Sequence, residues 1–303
     1  MQATLSFGGE TIHGSRYGCT SCPDRSFSFL WNCAMNNTST QKGSNKGGAR
    51  RGKRSARSGG GRGRRILAID VGGTSLKMLV SGEHEPVKIA SGKNMTPRLL
   101  VDSVTEATRH WQCDAISIGY PGLVGADGPH SEPGNLGPGW VGFDFAAAFG
   151  KPVKIINDAA MQALGSYAGR RMLFLGLGTG LGSTLITENV IVPLELGELP
   201  YGPEDKLGAL VGRRGLKRSG KREWRRVVAQ MVDSFSRAFV ADYVVLGGGN
   251  AKLLKELPSG ARLGHNLTAF RGGFRLWHLP DIRTLDPEGE APARAATVNW
   301  RVV

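Results

Sequence analysis

The sequence of 303 residues predicts an α/β protein with two lobes and a cleft between them. Three observations lead to this prediction. A buried strand, a turn rich in Gly and Thr, and a second strand occur in that order between residues 66 and 80. The same order recurs between residues 172 and 187. The segments between and after these repeats place apolar residues at helical spacing, as expected for helices that pack on strands.

The first half begins with a buried strand at Ile66–Asp70, which continues through a Gly72-Gly73-Thr74 turn into a strand at Leu76–Val80. Apolar residues at positions 100, 104, 107 and 111 share one face of a predicted helix. The remaining elements of this half are strands at Val87–Ala90 and Ala115–Gly119 and a loop at Ser131–Trp140, whose Gly and Pro content is typical of turns.

The second half begins with a strand at Val153–Ile156, and a helix is predicted from Asp158 to Ala168. A basic segment, Gly215–Arg222, resembles a Walker A loop but has Arg where Ser or Thr would bind Mg²⁺, and no buried strand precedes it. We therefore interpret it as a basic surface loop that an anionic partner can contact. The other elements are strands at Met172–Leu177, Ser183–Thr187, Val190–Val192 and Tyr243–Leu246 and a helix marked by Trp224, Val228, Met231, Phe235 and Ala238.

The positive charge is concentrated in the first 65 residues. The chain has a formal net charge of +14, and residues 1–65 contain 12 of its 39 Lys and Arg but only 2 of its 25 Asp and Glu. Their Gly- and Ser-rich composition cannot bury enough apolar surface to fold. We expect residues 1–65 to be a disordered basic extension, or to follow from a start codon placed too early. The rest of the chain is expected to form one lobe at 66–150, a second lobe at 151–280 and an irregular segment at 281–303. Specific nucleic-acid binding is not expected, although RNA or polyphosphate can contact such a charge non-specifically.

Several classes of protein are excluded by what the sequence lacks. No apolar run approaches the roughly 18 residues of a membrane span, and the first residues lack a charged leader followed by an apolar core. A cytoplasmic protein is therefore expected. The four Cys residues are too few for a disulfide framework. Cys19, Cys22, Cys33 and His13 could provide zinc ligands, but only the Cys19–Cys22 pair has a familiar spacing.

Three glycine-rich turns that follow buried strands are candidate phosphate or nucleotide sites. The first combines the Asp70 carboxylate, which can hold Mg²⁺ directly or through water, with the Gly72-Gly73-Thr74 turn, whose N–H groups can face phosphoryl oxygens. In the second, Gly176–Gly182, alternating glycines weaken a strand and so indicate close approach of a phosphate. The third, Gly247–Asn250, can accommodate a flat nucleobase. An ordinary tight hairpin remains the alternative for the first turn, and a strand–helix turn remains the alternative for the third.

Taken together, the ordered motifs resemble those of the ROK family of sugar kinases, in particular its polyphosphate or ATP glucokinases. The motifs are DVGGT followed by Lys77, GYPGLV, GNLGPGW, IINDA, GLGTGLG, ELGE and VVLGGGNA, and they lie between Ile66 and Phe274. The resemblance implies the two-lobed actin/hexokinase/Hsp70-type (ribonuclease H-like) fold, in which sugar and phosphoryl donor meet in the interlobe cleft. It also implies Mg²⁺ as cofactor, ATP or polyphosphate as donor, and a homodimer as a common assembly.

The resemblance further implies roles for individual residues. Asp158 corresponds to the family's general base, although a position before an Ala-rich helix also suits an N-cap. The corresponding sugar ligands are Asn135, Asn157, Asp158, Glu195 and Glu198. The corresponding phosphate or nucleotide ligands are Asp70, Gly72, Gly73, Thr74, Lys77, Gly178, Thr179, Gly180, Gly248 and Gly249.

The sequence departs from the family at one sugar-binding position. The family's ExGH motif reads Glu195-Leu-Gly-Glu198 here, so a His that can donate a hydrogen bond becomes an anionic acceptor. The expected activity is transfer of a terminal phosphoryl group to the 6-hydroxyl of glucose or a related hexose. The alternatives are a catalytically weak or inactive sugar-binding relative and a sugar-sensing regulator. Residues 1–65 lack the helical period of a helix-turn-helix.

Overall fold

The computed structural model describes residues 64–201, 205–265, 267–278 and 301–302. Residues 1–63 of the expected extension lie outside these ranges, as do the candidate zinc ligands Cys19, Cys22, Cys33 and His13 and most of the segment 281–303. None of the helices in the described ranges is long and apolar enough to cross a membrane.

The described chain alternates between strands and helices. In chain order, the elements are β1 (Ile66–Val71), β2 (Ser75–Val80), β3 (Val87–Ala90), α1 (Pro97–Ala107), β4 (Ala115–Tyr120), β5 (Val124–Gly125), β6 (Gly128–Pro129), α2 (Phe145–Phe149), β7 (Val153–Asn157), α3 (Asp158–Ser166), β8 (Met172–Leu177), β9 (Leu181–Thr187), β10 (Val190–Leu194), β11 (Pro200–Tyr201), β12 (Asp205–Lys206), α4 (Leu207–Val211), α5 (Arg213–Ala238), β13 (Tyr243–Gly247), β14 (Ala261–Leu263), α6 (Thr268–Arg275) and β15 (Arg301–Val302). Short 3₁₀ turns occur at Leu196–Glu198, Ala251–Leu253 and Leu276–His278.

The first sheet has the strand order β3-β2-β1-β4-β7. Its centre is parallel, because β1 pairs with β4 and β4 with β7 in that sense, and β2 and β3 extend it as an antiparallel meander. All six residues of β4 are buried, as expected for a central parallel strand. The fifth strand, β7, lies in the range assigned from sequence to the second lobe. The chain therefore leaves the first sheet at Asp158, several residues later than the expected boundary at residue 151.

The second sheet has the strand order β14-β13-β8-β9-β10-β15. The hairpin of β8 and β9 repeats the hairpin of β1 and β2, with the second glycine-rich turn between its strands. β13 pairs with β8 in parallel, so the third glycine-rich turn emerges at the same edge as the second. Arg301 and Val302, which lie in the segment expected to be irregular, pair in parallel with β10 as an edge strand.

The interpretation of Gly215–Arg222 as a surface loop is wrong, because these residues lie within α5. Two contacts with α4 anchor the helix: Trp224 is fully buried and its Nε1 donates to the carbonyl of Val211, and a Cβ on Gly215 would lie 1.5 Å from the carbonyl oxygen of Leu210. The helix is interrupted at Gly220, where φ is 75° and ψ is 166°. This left-handed residue explains why the local sequence has the composition of a loop.

Helices α3 and α6 connect the two sheets. α3 follows β7 of the first sheet and packs against the second, whereas α6 packs against β1 and β4 of the first. The two helices touch backbone to backbone. A Cβ on Gly165 would lie 1.7 Å from the carbonyl oxygen of Thr268, and one on Gly272 would lie 1.8 Å from that of Met161. Only glycine fits at both crossing positions.

Gly165→Ala should therefore destabilise the protein strongly. The added methyl group would force the two helix backbones apart, and overpacking of this kind costs about 3 kcal/mol. The midpoint of denaturant unfolding and the melting temperature measure the effect. Gly134→Ala is the matched control, because a Cβ at Gly134 meets no atom within 4 Å. Equal stability of the two variants would contradict the close contact of α3 with α6.

Candidate active site

A carboxylate and an amide stand at the end of the first sheet, where β7 passes into α3. The Asn157 side chain caps the helix: its Oδ1 accepts the N–H groups of Ala159 at 3.0 Å and Ala160 at 3.1 Å. Its Nδ2 donates to the carbonyl of Gly122 at 3.1 Å. The cap is thus chiefly Asn157, and one amide hydrogen of Asn157 remains for a ligand. The Oδ1 atom of Asp158 accepts a backbone hydrogen bond from the Ala159 N–H at 2.7 Å.

Asp158 is held in an environment that disfavours its charge. Burial raises the pKa of Asp158 to about 7, and the negative charges of Asp70 and Glu195 act in the same direction. The hydrogen bond from Ala159 opposes this rise. Asp70 lies on β1 of the first sheet and Glu195 follows β10 of the second, so the three carboxylates approach one another from both sheets.

The first glycine-rich turn positions an ion pair. Asp70 and Lys77 are cross-strand partners in the β1–β2 hairpin, and Lys77 Nζ lies 3.1 Å from Asp70 Oδ2. The Asp70 side chain is 14% exposed and that of Lys77 is 48% exposed, so the cation faces solvent. The turn between them is tight: the Gly72 N–H donates to the Ser75 carbonyl, and a Cβ on Gly72 would lie 2.8 Å from that oxygen.

The loop at residues 131–140 brings Asn135 to the same turn. The Glu132 carboxylate accepts the N–H groups of Gly139, Trp140 and Val141 and so fixes the shape of the loop. A Cβ on Gly73 would lie 3.0 Å from the Cβ of Asn135. A predicted sugar ligand and a predicted phosphate ligand are therefore neighbours, and Thr74 follows them as an exposed residue.

The second and third glycine-rich turns are joined to each other. Asn250 Nδ2 donates to the carbonyl of Gly178 at 2.9 Å, and the Asn250 N–H donates to the carbonyl of Leu177. Gly248 has φ 80°, and a Cβ there would lie 2.5 Å from the Leu177 carbonyl oxygen. Around Gly178 and Gly180 there is open space, because a Cβ at either position meets no atom within 4 Å. Thr179 is exposed, and a Cβ at Gly249 likewise meets nothing.

Glu195 and Glu198 lie at the other side of the site, in the segment after β10. The backbone N–H of Leu196 donates to Ser183 Oγ at 3.0 Å, which fixes the chain next to Glu195. Partial burial and the charge of Glu198 raise the pKa of Glu195. The Glu198 carboxylate is exposed and forms an ion pair with Lys206. The departure from the family motif is therefore accompanied by a cation that partly neutralises the new carboxylate.

The predicted site residues thus form one acidic group and one glycine-rich group. The acidic group contains Asp70, Asp158 and Glu195, with Glu198 beside it. The sequence places Asn250 in the third turn but assigns its side chain no role, which the structure shows to be the link to Gly178. Sequence reasoning missed Lys206, which is linked to Glu198 only through the fold and carries no sequence signal.

The profile of the ROK family matches residues 66–193, which contain Asp70, Asp158 and the first two glycine-rich turns. The resemblance to the ROK family is thereby confirmed. Glu195, Glu198 and the third glycine-rich turn lie beyond the matched residues. No curated protein matches the chain significantly.

Solved structures confirm the fold expected of a ROK protein. An inorganic polyphosphate/ATP-glucomannokinase from Arthrobacter sp. strain KM aligns with a TM-score of 0.60 at 21% identity, over 69% of this chain and 96% of that one. A ROK family glucokinase from Streptomyces griseus aligns with a TM-score of 0.57 at 17% identity, over 70% and 98%. A ROK family transcriptional regulator, a homologue of the E. coli MLC protein, aligns with a TM-score of 0.51 at 15% identity, over 69% and 76%. The chain therefore has the two-sheet α/β architecture of the actin/hexokinase fold.

Because the pKa of Asp158 is raised, the stability of the folded protein should depend on pH. A carboxyl whose pKa is higher in the folded than in the unfolded state contributes stability below about pH 4, and this contribution is lost as the pH rises through about 7. Asp158→Asn removes the cost of the buried charge, so its melting temperature relative to the unmodified protein should increase between pH 5 and pH 8. The control Asp102→Asn alters an exposed carboxylate on α1. The difference in melting temperature between this variant and the unmodified protein should be the same at pH 5 and at pH 8. A pH-independent effect of Asp158→Asn would show that the Asp158 charge is not disfavoured.

Proposed function

We propose that the protein is a phosphotransferase that moves the terminal phosphoryl group of ATP or polyphosphate to the 6-hydroxyl of glucose or a related hexose. One observation carries the proposal: a carboxyl group with a pKa near 7 stands between the two sheets, beside two glycine-rich turns. The similarity to structures described as a glucomannokinase and a glucokinase supports the substrate class.

Asp158 would act as the general base. A base is most effective when its pKa lies near the working pH, and burial together with Asp70 brings the pKa of Asp158 into that range. The carboxylate takes the proton of the attacking hydroxyl as the oxygen–phosphorus bond forms. The bond from phosphorus to the leaving oxygen breaks, and ADP or a polyphosphate shortened by one unit departs. The remaining amide hydrogen of Asn157, the Asn135 side chain and the Glu195 carboxylate would orient the sugar.

The donor would lie over the second glycine-rich turn. The open space at Gly178 and Gly180 allows phosphoryl oxygens to approach the backbone closely, and Thr179 adds an exposed hydroxyl. Lys77 contributes a cation from the first turn. The bare backbone at Gly249, in the turn that Asn250 ties to Gly178, would support the adenosine of ATP.

The residues present fit a magnesium ion held mainly by the donor. The negative charge of Asp70 raises the pKa of Asp158, and Lys77 is paired with Asp70. No group of three or more His, Cys, Asp or Glu in the described ranges could hold a metal by itself. This suits Mg²⁺, which typically keeps several waters and binds one or two carboxylates together with substrate phosphates. When bound, Mg²⁺ would neutralise developing charge on the donor, and Asp70 would be the principal protein ligand.

A catalytically weak or inactive sugar-binding relative is the second candidate. The observation that favours it is Glu198, which stands where the family has a His and is paired with Lys206. Such a protein would bind glucose or a related hexose without forming a sugar phosphate from either donor. The segment that would carry the DNA-binding element of a regulator, residues 1–63, lies outside the described residues.

Asp158→Asn should lower kcat by about 10²- to 10⁴-fold with little change in sugar affinity. The amide keeps the size of the carboxylate and its hydrogen bond to Ala159 but cannot take a proton. Formation of glucose 6-phosphate with ATP, and separately with polyphosphate, measures kcat, and calorimetry measures glucose binding. Asp102→Asn again serves as the control and should retain full turnover. Full turnover by Asp158→Asn would refute the assigned base.

Gly180→Val should weaken donor binding and leave both the fold and sugar binding intact. The branched side chain has room in the folded protein but would occupy the space proposed for phosphate. Gly73→Val is a less clean test, because its side chain would also displace Asn135. The Michaelis constants for donor and sugar, measured beside the melting temperature, separate these effects. An unchanged donor constant with a normal melting temperature would exclude the second turn from the donor site.

A further inference from the structure

The first part of α5 carries an excess of positive charge that the protein itself does not neutralise. Between Arg213 and Arg226 the helix contains eight Lys or Arg and a single acid, Glu223. Three of the cations have partners: Arg218 pairs with Asp205, Arg226 with Glu223, and Arg225 donates to the carbonyl of Leu253. The others are exposed and form no salt bridge with the described residues, although Arg222 lies near the Glu223 carboxylate that pairs with Arg226; they are Arg213, Arg214, Lys217, Lys221 and Arg222. We call these five residues the α5 cations.

The α5 cations begin directly at the proposed donor turn. The backbone N–H of Arg213 donates to the carbonyls of Gly178 at 3.1 Å and Thr179 at 3.2 Å. A Cβ on Gly212 would lie 2.3 Å from the Thr179 carbonyl oxygen, so the start of α5 touches the turn itself. The contact between Arg225 and Leu253 places the helix beside the third glycine-rich turn as well. The positive surface therefore leads away from the site where a terminal phosphate would react.

The surface is too long for a single nucleotide. At 1.5 Å per residue, helix positions 213 to 226 span up to about 20 Å. The α5 cations lie on both sides of the interruption at Gly220, with Arg214 and Lys217 before it and Lys221 and Arg222 after it. A nucleoside triphosphate presents its charge over a much shorter stretch, whereas a linear chain of phosphates presents one charge after another along its length.

The composition of the surface distinguishes between linear polyanions. Single-stranded nucleic acids are usually held by cations together with aromatic side chains on which bases stack. Trp224, the aromatic residue between positions 213 and 226, is fully buried and bonded to Val211. Among residues 213–226 the helix thus presents cations and no exposed aromatic side chain, although the exposed Tyr201 lies near Arg226. A surface of cations with few aromatic side chains suits a polyanion that has no bases.

We propose that the α5 cations bind an inorganic polyphosphate chain whose terminal unit reaches the Gly178–Gly180 turn, and that polyphosphate is the preferred phosphoryl donor. This inference rests on the proposed function and names the donor within it. The α5 cations would not touch the reacting phosphate. They would act on the affinity for the rest of the chain, and their contribution would grow with chain length and fall with salt as counterions are released.

The triple variant Lys217→Gln, Lys221→Gln, Arg222→Gln tests the proposal. The Michaelis constant for long-chain polyphosphate should rise about tenfold or more. The slope of the logarithm of this constant against the logarithm of the salt concentration should become smaller by about two, because three cations no longer release counterions. The constants for ATP and for glucose should stay within about twofold. Shortening the polyphosphate to tripolyphosphate should reduce the difference between variant and unmodified protein. The matched control is Lys88→Gln, Arg98→Gln, Arg109→Gln, which removes the same charge from exposed positions on β3, on α1 and just after α1. Two of these cations form exposed ion pairs, Arg98 with Asp102 and Arg109 with Glu106.

Four outcomes would overturn the proposal. An equal loss with ATP and polyphosphate, or the same loss in the control variant, would show a general effect of charge. Activity with ATP and none with polyphosphate would remove the donor assignment and leave the proposed kinase function standing. Binding of a single-stranded RNA homopolymer as tight as that of polyphosphate would make the surface an unselective one. If neither donor supports phosphorylation, the proposed function fails. Polyphosphate binding measured by calorimetry then tests the α5 cations separately. Binding that is lost in the triple variant and kept in the control supports a polyphosphate site, and binding that is equal in both variants refutes it.

Discussion

The first turn of α3 begins at the end of β7, and the hydrogen bonds made there set the chemistry of the site. The N–H groups at the start of a helix need acceptors, and Asn157 supplies one oxygen to two of them. Asp158 is thereby largely released from capping and stands partly buried opposite Asp70 and Glu195. Its ionised form is disfavoured, which places the pKa near 7. A carboxyl group in this condition weakens the fold at neutral pH but is well suited to accept a proton.

The position of Asp158 depends in turn on the crossing of α3 and α6. Because Gly165 and Gly272 allow the two backbones to touch, α3 is fixed against a helix that packs on the opposite sheet. α6 is itself held by the hydrogen bond from Ser117 Oγ to the carbonyl of Gly273 at 2.6 Å. The distance between Asp70 on one sheet and Glu195 beside the other therefore follows from how these two helices meet.

The charges of the site are sorted along it. Carboxylates collect on the side of the proposed sugar ligands, and cations without a salt bridge collect along α5 on the side of the proposed donor turn. The short strand β12 connects the two sides: Asp205 pairs with Arg218 of α5, and its neighbour Lys206 pairs with Glu198. Asp205 thus neutralises one cation of α5, and the adjacent Lys206 neutralises one carboxylate beside the acidic group. This arrangement keeps opposite ends of the site electrostatically distinct and is compatible with an anionic donor and an uncharged acceptor that meet between them.

The sequence by itself determined the strands, the glycine-rich turns and the identity of the carboxylates. Buried parallel strands such as β1, β8 and β13 are continuous apolar runs, and glycine punctuates the turns after them. At Gly72 the need for glycine is local, because a Cβ there would meet the Ser75 carbonyl oxygen, whereas at Gly248 it comes from the distant Leu177. Tertiary structure alone decided that Gly215–Arg222 is helical, because Gly215 and Trp224 are fixed by contacts with α4 that no local pattern encodes. It alone decided the pairing of Glu198 with Lys206 and the raised pKa of Asp158. Ion pairs and desolvation depend on which distant groups the fold brings together, and a linear pattern contains no measure of that distance.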